Sequence, residues 1–204
     1  MHDVSVIIPV RDEMRGRLLE TVISAHRSDP AEIILVDDGS AIPVTDVPLA
    51  RVIRQDAAGI SAAMNRGIGA ATSGYVAWLS VGDEFYPHKF ERTLGLAPAV
   101  CHLIKDGHHP VPRRLRWDNQ ICGAATVVMT DVAREIPFDE GLQYCVDWDW
   151  SARIEFDGPG WTLVEEVLGE SHQHPWGHTA RAQAGEARKV RDRDRATVSR
   201  RWRQ

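Results

Sequence analysis

Three observations predict an α/β fold: a central, mainly parallel sheet with helices on both faces, followed by a C-terminal helical tail. VSVIIPV (4–10) and EIILVDDGS (32–40) open on continuous, largely β-branched runs, as strands buried on both faces do. Segments of helical spacing alternate with these runs. The connections are short, which suits parallel strands joined by crossovers.

The elements follow in order. After strand 4–10, Leu18, Leu19, Val22, Ile23 and His26 recur at helical spacing and predict a helix over 14–27, stopped by Asp29 and Pro30. Strand 32–40 ends in a turn, and Arg51 to Arg54 forms a short third strand. Gly59 to Ala71 reads as a helix whose Ala62, Ala63 and Ala70 permit close packing, and YVAWLS (75–80) as a fourth strand. The second half is less regular. Pro87 opens a helix to Leu96. AVCHLIKDG (99–107), ICGAATVVMT (121–130) and WTLVEEVLGE (161–170) read as strands, and Asp147 to Phe156 as a helix. HHPVPRRLRW (108–117) reads as a basic loop, able to hold a diphosphate or an anionic acceptor or simply to be solvated. A polar helix covers about 179–202.

The chain has 204 residues, 43% of them hydrophobic and 26% charged, enough for one domain with a real core and outside the composition of disordered chains. The expected division is a domain over 1–178, with halves at 1–97 and 98–178, and a tail over 179–204. The formal charge of −5 is uneven: from Arg181 onward nine Lys/Arg face three Asp/Glu. Such a tail fits either an anionic partner or a solvated helix with Arg/Asp pairs. Cys101, Cys122 and Cys145 are odd in number and form no CxxC, so reduced thiols are expected. Asp3 and the charged run at Arg11, Asp12 and Glu13 exclude a signal peptide, and no segment approaches the ~20 apolar residues of a membrane span. A soluble, cytoplasmic protein is expected.

In open α/β sheets, ligands bind outside the carboxyl ends of the strands. Three acidic clusters fall there: Arg11-Asp12-Glu13, Asp37-Asp38-Gly39-Ser40 and Ser80-Val81-Gly82-Asp83. Carboxylates crowded on one edge call for a cation or hydrogen-bond donors, and Mg²⁺ or Mn²⁺ carrying a diphosphate supplies both. A GxGxxG after the first strand is missing, which excludes a Rossmann dehydrogenase.

VSVIIPVRDE, ILVDDGS, the stretch RVIRQDAAGISAAMNRGIGAATSGYVAWLSVGDEFYP and the later FDEGLQYCVDWDWSARI together resemble the family-2 glycosyltransferases of GT-A fold, over roughly 1–175. The resemblance implies an inverting enzyme that moves a single sugar, a hexose, from a nucleotide-sugar donor, a UDP-sugar by default. It implies a nucleotide pocket lined by Pro9, Val10 and Arg11, with Glu13 at the ribose and Asp38 accepting from the base. Gly59, Asn65, Gly67 and Ser80 would belong to the same pocket. Asp83 would hold a divalent metal, Mn²⁺ or Mg²⁺, helped by His174 of the cluster His172, His174 and His178. Where the family shows Asp-x-Asp-Asp, this chain has Ser80-Val81-Gly82-Asp83, and the first member of a later acidic pair is Val146.

Asp147 is the implied general base, since a carboxylate within reach can take the acceptor proton as the oxygen attacks. Trp148 and Asp149 would face the acceptor, Trp148 by stacking on a sugar, and Trp150 is expected in the core. Asp38 and Asp83 also read as turn or cap residues, and Glu13 as a helix start. Three other readings are weighed: a non-catalytic nucleotide-sugar binder of the same fold, a glycosyltransferase acting on a modified nucleic-acid base, and a sugar-phosphate nucleotidylyltransferase. The last is opposed by Arg11-Asp12-Glu13-Met14, which stands where a Gly-rich Arg/Lys loop is needed.

Overall fold

The computed structural model describes residues 1–12, 15–105, 110–172 and 185–202. At its centre lie β1 (His2–Val10) and β2 (Pro30–Asp38), paired in parallel. The continuous apolar runs are buried on both faces: Val4, Val6, Ile7, Ile8, Ile34, Leu35 and Val36 are wholly inaccessible. β3 (Arg51–Gln55), β4 (Tyr75–Trp78), β6 (Ala99–Leu103), β7 (Thr126–Met129) and β8 (Thr162–Val167) complete a seven-stranded sheet of order β3-β2-β1-β4-β7-β6-β8. Only β7 runs against its neighbours, β4 and β6. β5 (Glu84–Phe85) and β9 (Gly169–Glu170) form a separate antiparallel pair.

The strand order reverses at β1: the chain steps outward to β2 and β3, then returns to β4 on the far side. Right-handed crossovers then place α1 (Arg15–Arg27) and α2 (Ile60–Ala70) on opposite faces and open a crevice at the carboxyl ends of β1 and β4. The α2 helix sits hard against the sheet at Gly67, where an added Cβ would lie 2.4 Å from Cγ2 of Ile7. Gly67→Val is therefore expected to cost about 1–3 kcal/mol by overpacking, read as a lower urea midpoint with an unchanged m-value.

The buried face of α1 differs from the one expected. Leu18, Thr21, Val22, Ser24 and Ala25 face inward, whereas Ile23 and His26 are exposed. The two hydroxyls explain the rotation. Thr21 Oγ1 accepts the Gly82 N–H at 2.8 Å, and Ser24 Oγ accepts the Phe85 N–H at 2.8 Å, so α1 holds the loop after β4.

Other expected elements are shortened. α3 (Lys89–Thr93) ends before Gly95, and β6 stops at Leu103. Gly123–Ala125 is a 3-10 turn ahead of β7, and Thr130–Glu135 forms α4 where a strand end was expected. The basic loop contains a 3-10 turn, Pro112–Arg116, anchored by buried Leu115, and His108 and His109 lie outside the described residues.

α5 (Val146–Phe156) and α6 (Gly185–Trp202) pack against each other and against the 3-10 turn at Pro112–Arg116. On α6, Val190, Asp194, Val198 and Trp202 fall four apart and make its inner stripe, with Asp194 and Val198 buried. Its outer charges pair locally, as in Arg188–Asp192 and Lys189–Glu186. Among the described residues no helix is long and apolar enough to cross a membrane.

Candidate active site

Of the predicted site residues that the structure describes, Pro9, Val10, Arg11, Asp38, Gly59, Ser80 and Asp83 lie at or beside the carboxyl ends of β1, β2 and β4, whereas Gly67, expected in the nucleotide pocket, is packed in α2 against Ile7 and Val36. At the end of β2, Asp37 is wholly buried, with its carboxylate accepting from the backbone of Ser40 at 2.9 Å and Val44 at 3.1 Å and from the Arg54 guanidinium. Burial alone would raise its pKa, but these donors outweigh it and hold the group below the usual carboxylate range.

Asp38 does the same for the next loop. It accepts from Gln55 Nε2 and the Ala58 N–H, both at 2.8 Å, and from the Gly59 N–H at 2.9 Å. Gly59 has φ 98°, a left-handed conformation that lets the chain turn into α2. The Arg11 guanidinium stands 3.8 Å from Asp38 and is exposed beyond Pro9 and buried Val10. The loops after β1 and β2 are latched together, the Asp12 N–H donating to Ser40 Oγ at 3.0 Å and the Ala41 N–H to Asp12 at 2.8 Å. Glu13, expected beside them, lies outside the described residues.

Ser80 to Asp83 forms a turn closed by the Asp83 N–H on the Ser80 carbonyl at 3.0 Å. Asp83 is buried and accepts the His172 N–H at 3.0 Å, which joins the end of the β5–β9 pair to the edge of β4. His174 and His178 lie outside the described residues. Among the described residues no three His, Cys, Asp or Glu side chains converge to hold a metal. One carboxylate at this edge fits an ion that takes its remaining ligands from a diphosphate, and does not fit a protein-only metal centre.

Asp147 sits in the first turn of α5 and is half-buried. It accepts from Asn119 Nδ2 and from the Trp148 N–H, at 2.8 and 2.9 Å. Cys145, the residue before the helix, has φ 58°. A depression of about 420 Å³ opens here, lined by Asp118, Asn119, Gln120, Cys145, Trp148 and Arg195. Trp148 is buried, its indole N–H donating to the Leu115 carbonyl at 2.6 Å, so it forms a wall of this depression. Trp150 is core, as expected, stacked on Phe138 at 4.5 Å.

Two expected ligand contacts are placed elsewhere. Asp149 is wholly buried, with Arg153 at 2.9 Å and Arg201 at 2.5 Å on its two oxygens, which turns it away from any acceptor. Asn65 gives its amide to the loop after α4, donating to the Phe138 carbonyl at 3.0 Å and Glu140 at 2.8 Å and accepting the Phe138 N–H at 2.8 Å. It clips α2 to that loop rather than lining the nucleotide crevice. The sequence reading missed Asn119, Gln55, Asp194 and Arg201. Asp194 alone carried a signal, as a charged residue within the apolar stripe of α6.

The sequence profile described as Glycosyl transferase family 2 matches residues 5–104, the segment that builds the Asp38 and Asp83 loops. Over these residues, about half of its length, the chain matches the family-2 glycosyltransferases. Among its curated relatives, "Uncharacterized glycosyltransferase YibD" of Escherichia coli (strain K12) is 35% identical over 107 residues, 47% of this chain and 30% of that protein. "Pre-mycofactocin glycosyltransferase" of Mycobacterium tuberculosis is 31% identical over 128 residues, 55% of this chain and 26% of its own. The chain thus spans less than a third of the length of these relatives.

Among solved structures, S. aureus TarS 1-349 in complex with UDP-GlcNAc superposes with a TM-score of 0.73 at 14% identity, over 96% of this chain and 66% of that one. Mannosyltransferase PcManGT from Pyrobaculum calidifontis, in complex with GDP-Man and Mn²⁺, gives 0.69 at 17% identity, over 98% and 64%. At such identities the likeness establishes the shared GT-A fold alone.

Proposed function

We propose that the chain is an inverting glycosyltransferase that moves one sugar from a nucleoside-diphosphate sugar to an acceptor hydroxyl. The reading is supported by the Asp38 loop and the Asp83 turn at the carboxyl edge of the sheet, and by Asp147 with the depression beside it. A UDP-hexose is the donor we infer, and the complexes of TarS with UDP-GlcNAc and of PcManGT with GDP-Man support a nucleotide sugar in general.

In this reading Pro9, Val10 and Arg11 border the nucleotide, and the loop held by Asp38 forms the wall beside the base. Asp38 keeps the loop shaped through Ala58 and Gly59, and Arg11 meets the ligand from the exposed side. The acceptor occupies the depression against Trp148. Asp147 takes the acceptor hydroxyl proton while that oxygen bonds to the anomeric carbon. The bond from this carbon to the diphosphate breaks on the opposite face, and the nucleoside diphosphate leaves, so the centre inverts. Asn119 keeps the Asp147 carboxylate aimed. Asp83, with His174 beyond the described part, would hold a divalent ion, which when bound neutralises charge on the leaving diphosphate. Mn²⁺ in the PcManGT complex supports that role.

Melting curves with UDP, GDP and dTDP, each with Mn²⁺, Mg²⁺ or EDTA, test the donor reading. At 100 times its Kd a nucleotide adds ~2.7 kcal/mol, a shift of about 5–10 °C for a chain of this size. One nucleotide is expected to give that shift, and Asp38→Ala to remove most of it. No shift with any of the three, with or without metal, would leave the chain without a donor and overturn the reading. Binding without nucleotide release would instead favour a binder of the same fold, the outcome that Ser80, Gly82 and Val146 in place of carboxylates would explain.

A further inference from the structure

The C-terminal helix touches the proposed base loop at three points, and these points bracket Asp147. Before it, Asp194 is buried, and its Oδ2 accepts the backbone N–H groups of Gln143 at 2.9 Å and Tyr144 at 3.0 Å. Its Oδ1 is held by Arg193 at 2.7 Å. After it, Arg201 donates to buried Asp149 at 2.5 Å. The same guanidinium reaches Asp139, at the start of the loop, at 3.0 Å.

A helix needs none of this merely to adhere. Val198 and Trp202 already supply apolar contact, and a buried carboxylate is a costly way to add stability. A carboxylate that accepts two successive N–H groups does something an apolar contact does not, which is to fix the direction of the backbone. Here the fixed segment is followed at once by Cys145, whose left-handed φ of 58° turns the chain into α5. Val146 and Asp147 come next, so two residues separate the gripped amides from the proposed base.

We propose that Asp194 is a positioning residue: by holding the Gln143 and Tyr144 amides it sets the turn at Cys145 and so aims Asp147, with Arg201 fixing the far side through Asp149. This rests on the glycosyltransferase reading. It makes α6 part of the reaction centre, contributing Arg195 to the depression and Asp194 to the geometry of the base.

The test uses the full chain and two readouts. The first is nucleotide release from UDP-GlcNAc and UDP-glucose with water as acceptor. The second is thiol labelling of Cys145 by a disulfide reagent at pH 8 in a Cys122→Ser background, where Cys101 is sealed in the sheet. Burial and the nearby Asp147 charge push the Cys145 thiol up to about 11, so it should label slowly. With Asp194→Ala, kcat should fall ten- to a hundredfold at a donor KM within twofold of the parent, and Cys145 should label at least tenfold faster. Asp194→Asn keeps an oxygen for the two amides and should restore most of both. Unchanged labelling in Asp194→Ala, or a loss carried by donor KM or by melting alone, would overturn the proposal. If the parent chain neither binds nor cleaves a donor, the glycosyltransferase reading fails by that result, and the labelling rates still decide whether Asp194 sets the turn.

Discussion

Asp147→Asn should lower sugar transfer by ~10²–10⁴-fold while leaving nucleotide-induced stabilisation intact. The substitution keeps the shape of the side chain. Its remaining oxygen can still accept from Asn119 or from the Trp148 N–H, so the first turn of α5 should stand. What is lost is the capacity to take a proton. The acceptor must then attack as a neutral hydroxyl, and no other carboxylate replaces the base at that point of α5: Asp149 is buried between two arginines. Initial rates of nucleotide release over pH 5–9, beside melting curves with the same nucleotide, separate the two effects. A variant that binds and turns over like the parent would remove Asp147 from the chemistry.

The second large effect is a dependence of stability on pH set beneath the site. Lys89 is fully buried, its ammonium donating to the Ala124 carbonyl at 2.7 Å and lying 3.8 Å from the centre of the Phe85 ring. Burial drives its pKa well below the ordinary value of 10.5. His102, also buried, is pushed down by burial and then by Lys89, although one ring nitrogen meets the Leu103 carbonyl. The sign follows from proton uptake. On acidification below about 10.5 the unfolded chain protonates Lys89 before the folded chain does, and below about 6.5 it does so at His102 as well.

Below about pH 9, the ordinary thiol value, these two groups therefore make stability fall as pH falls, through each window until the folded-state pKa is passed. Above it the buried Cys101 thiol, pushed up to about 12, and the Cys145 thiol, pushed up to about 11, act in the opposite sense. One proton bounds the Lys89 slope at ~1.4 kcal/mol per pH unit. Urea unfolding at several pH values between 6 and 9 should show this decline, and Lys89→Met should flatten it. Parallel curves for parent and variant would show that Lys89 titrates alike in both states.

The sheet and the loops after β1 and β2 were legible because their signals are local. Ile33 to Val36 is apolar without interruption, and Asp37 to Ser40 carries its own turn chemistry. What escaped the reading depends on partners far along the chain. Asp149 looks like an exposed helical acid until Arg201 is brought to it, and Asn65 looks like a crevice residue until Phe138 arrives. β5 and β9 are two residues each, too short to show a period. The stretch 121–130 misled for another reason. Its apolar run is continuous, but Gly123–Ala125 lies beneath Trp78 as a 3-10 turn, and Thr130 begins a helix.

The single reversed strand has a consequence for the order of assembly. β7 is four residues long and is the seam between the β3-β2-β1-β4 half and the β6-β8 half. As the chain is synthesised, β4 offers Tyr75–Trp78 as a raw edge, and β6 has nothing to join, until Thr126–Met129 emerges. A nascent or truncated chain ending before that point would carry an open, apolar sheet edge, the kind of template on which aggregation begins. Closing the seam thus protects the nascent protein as well as uniting the two walls of the crevice.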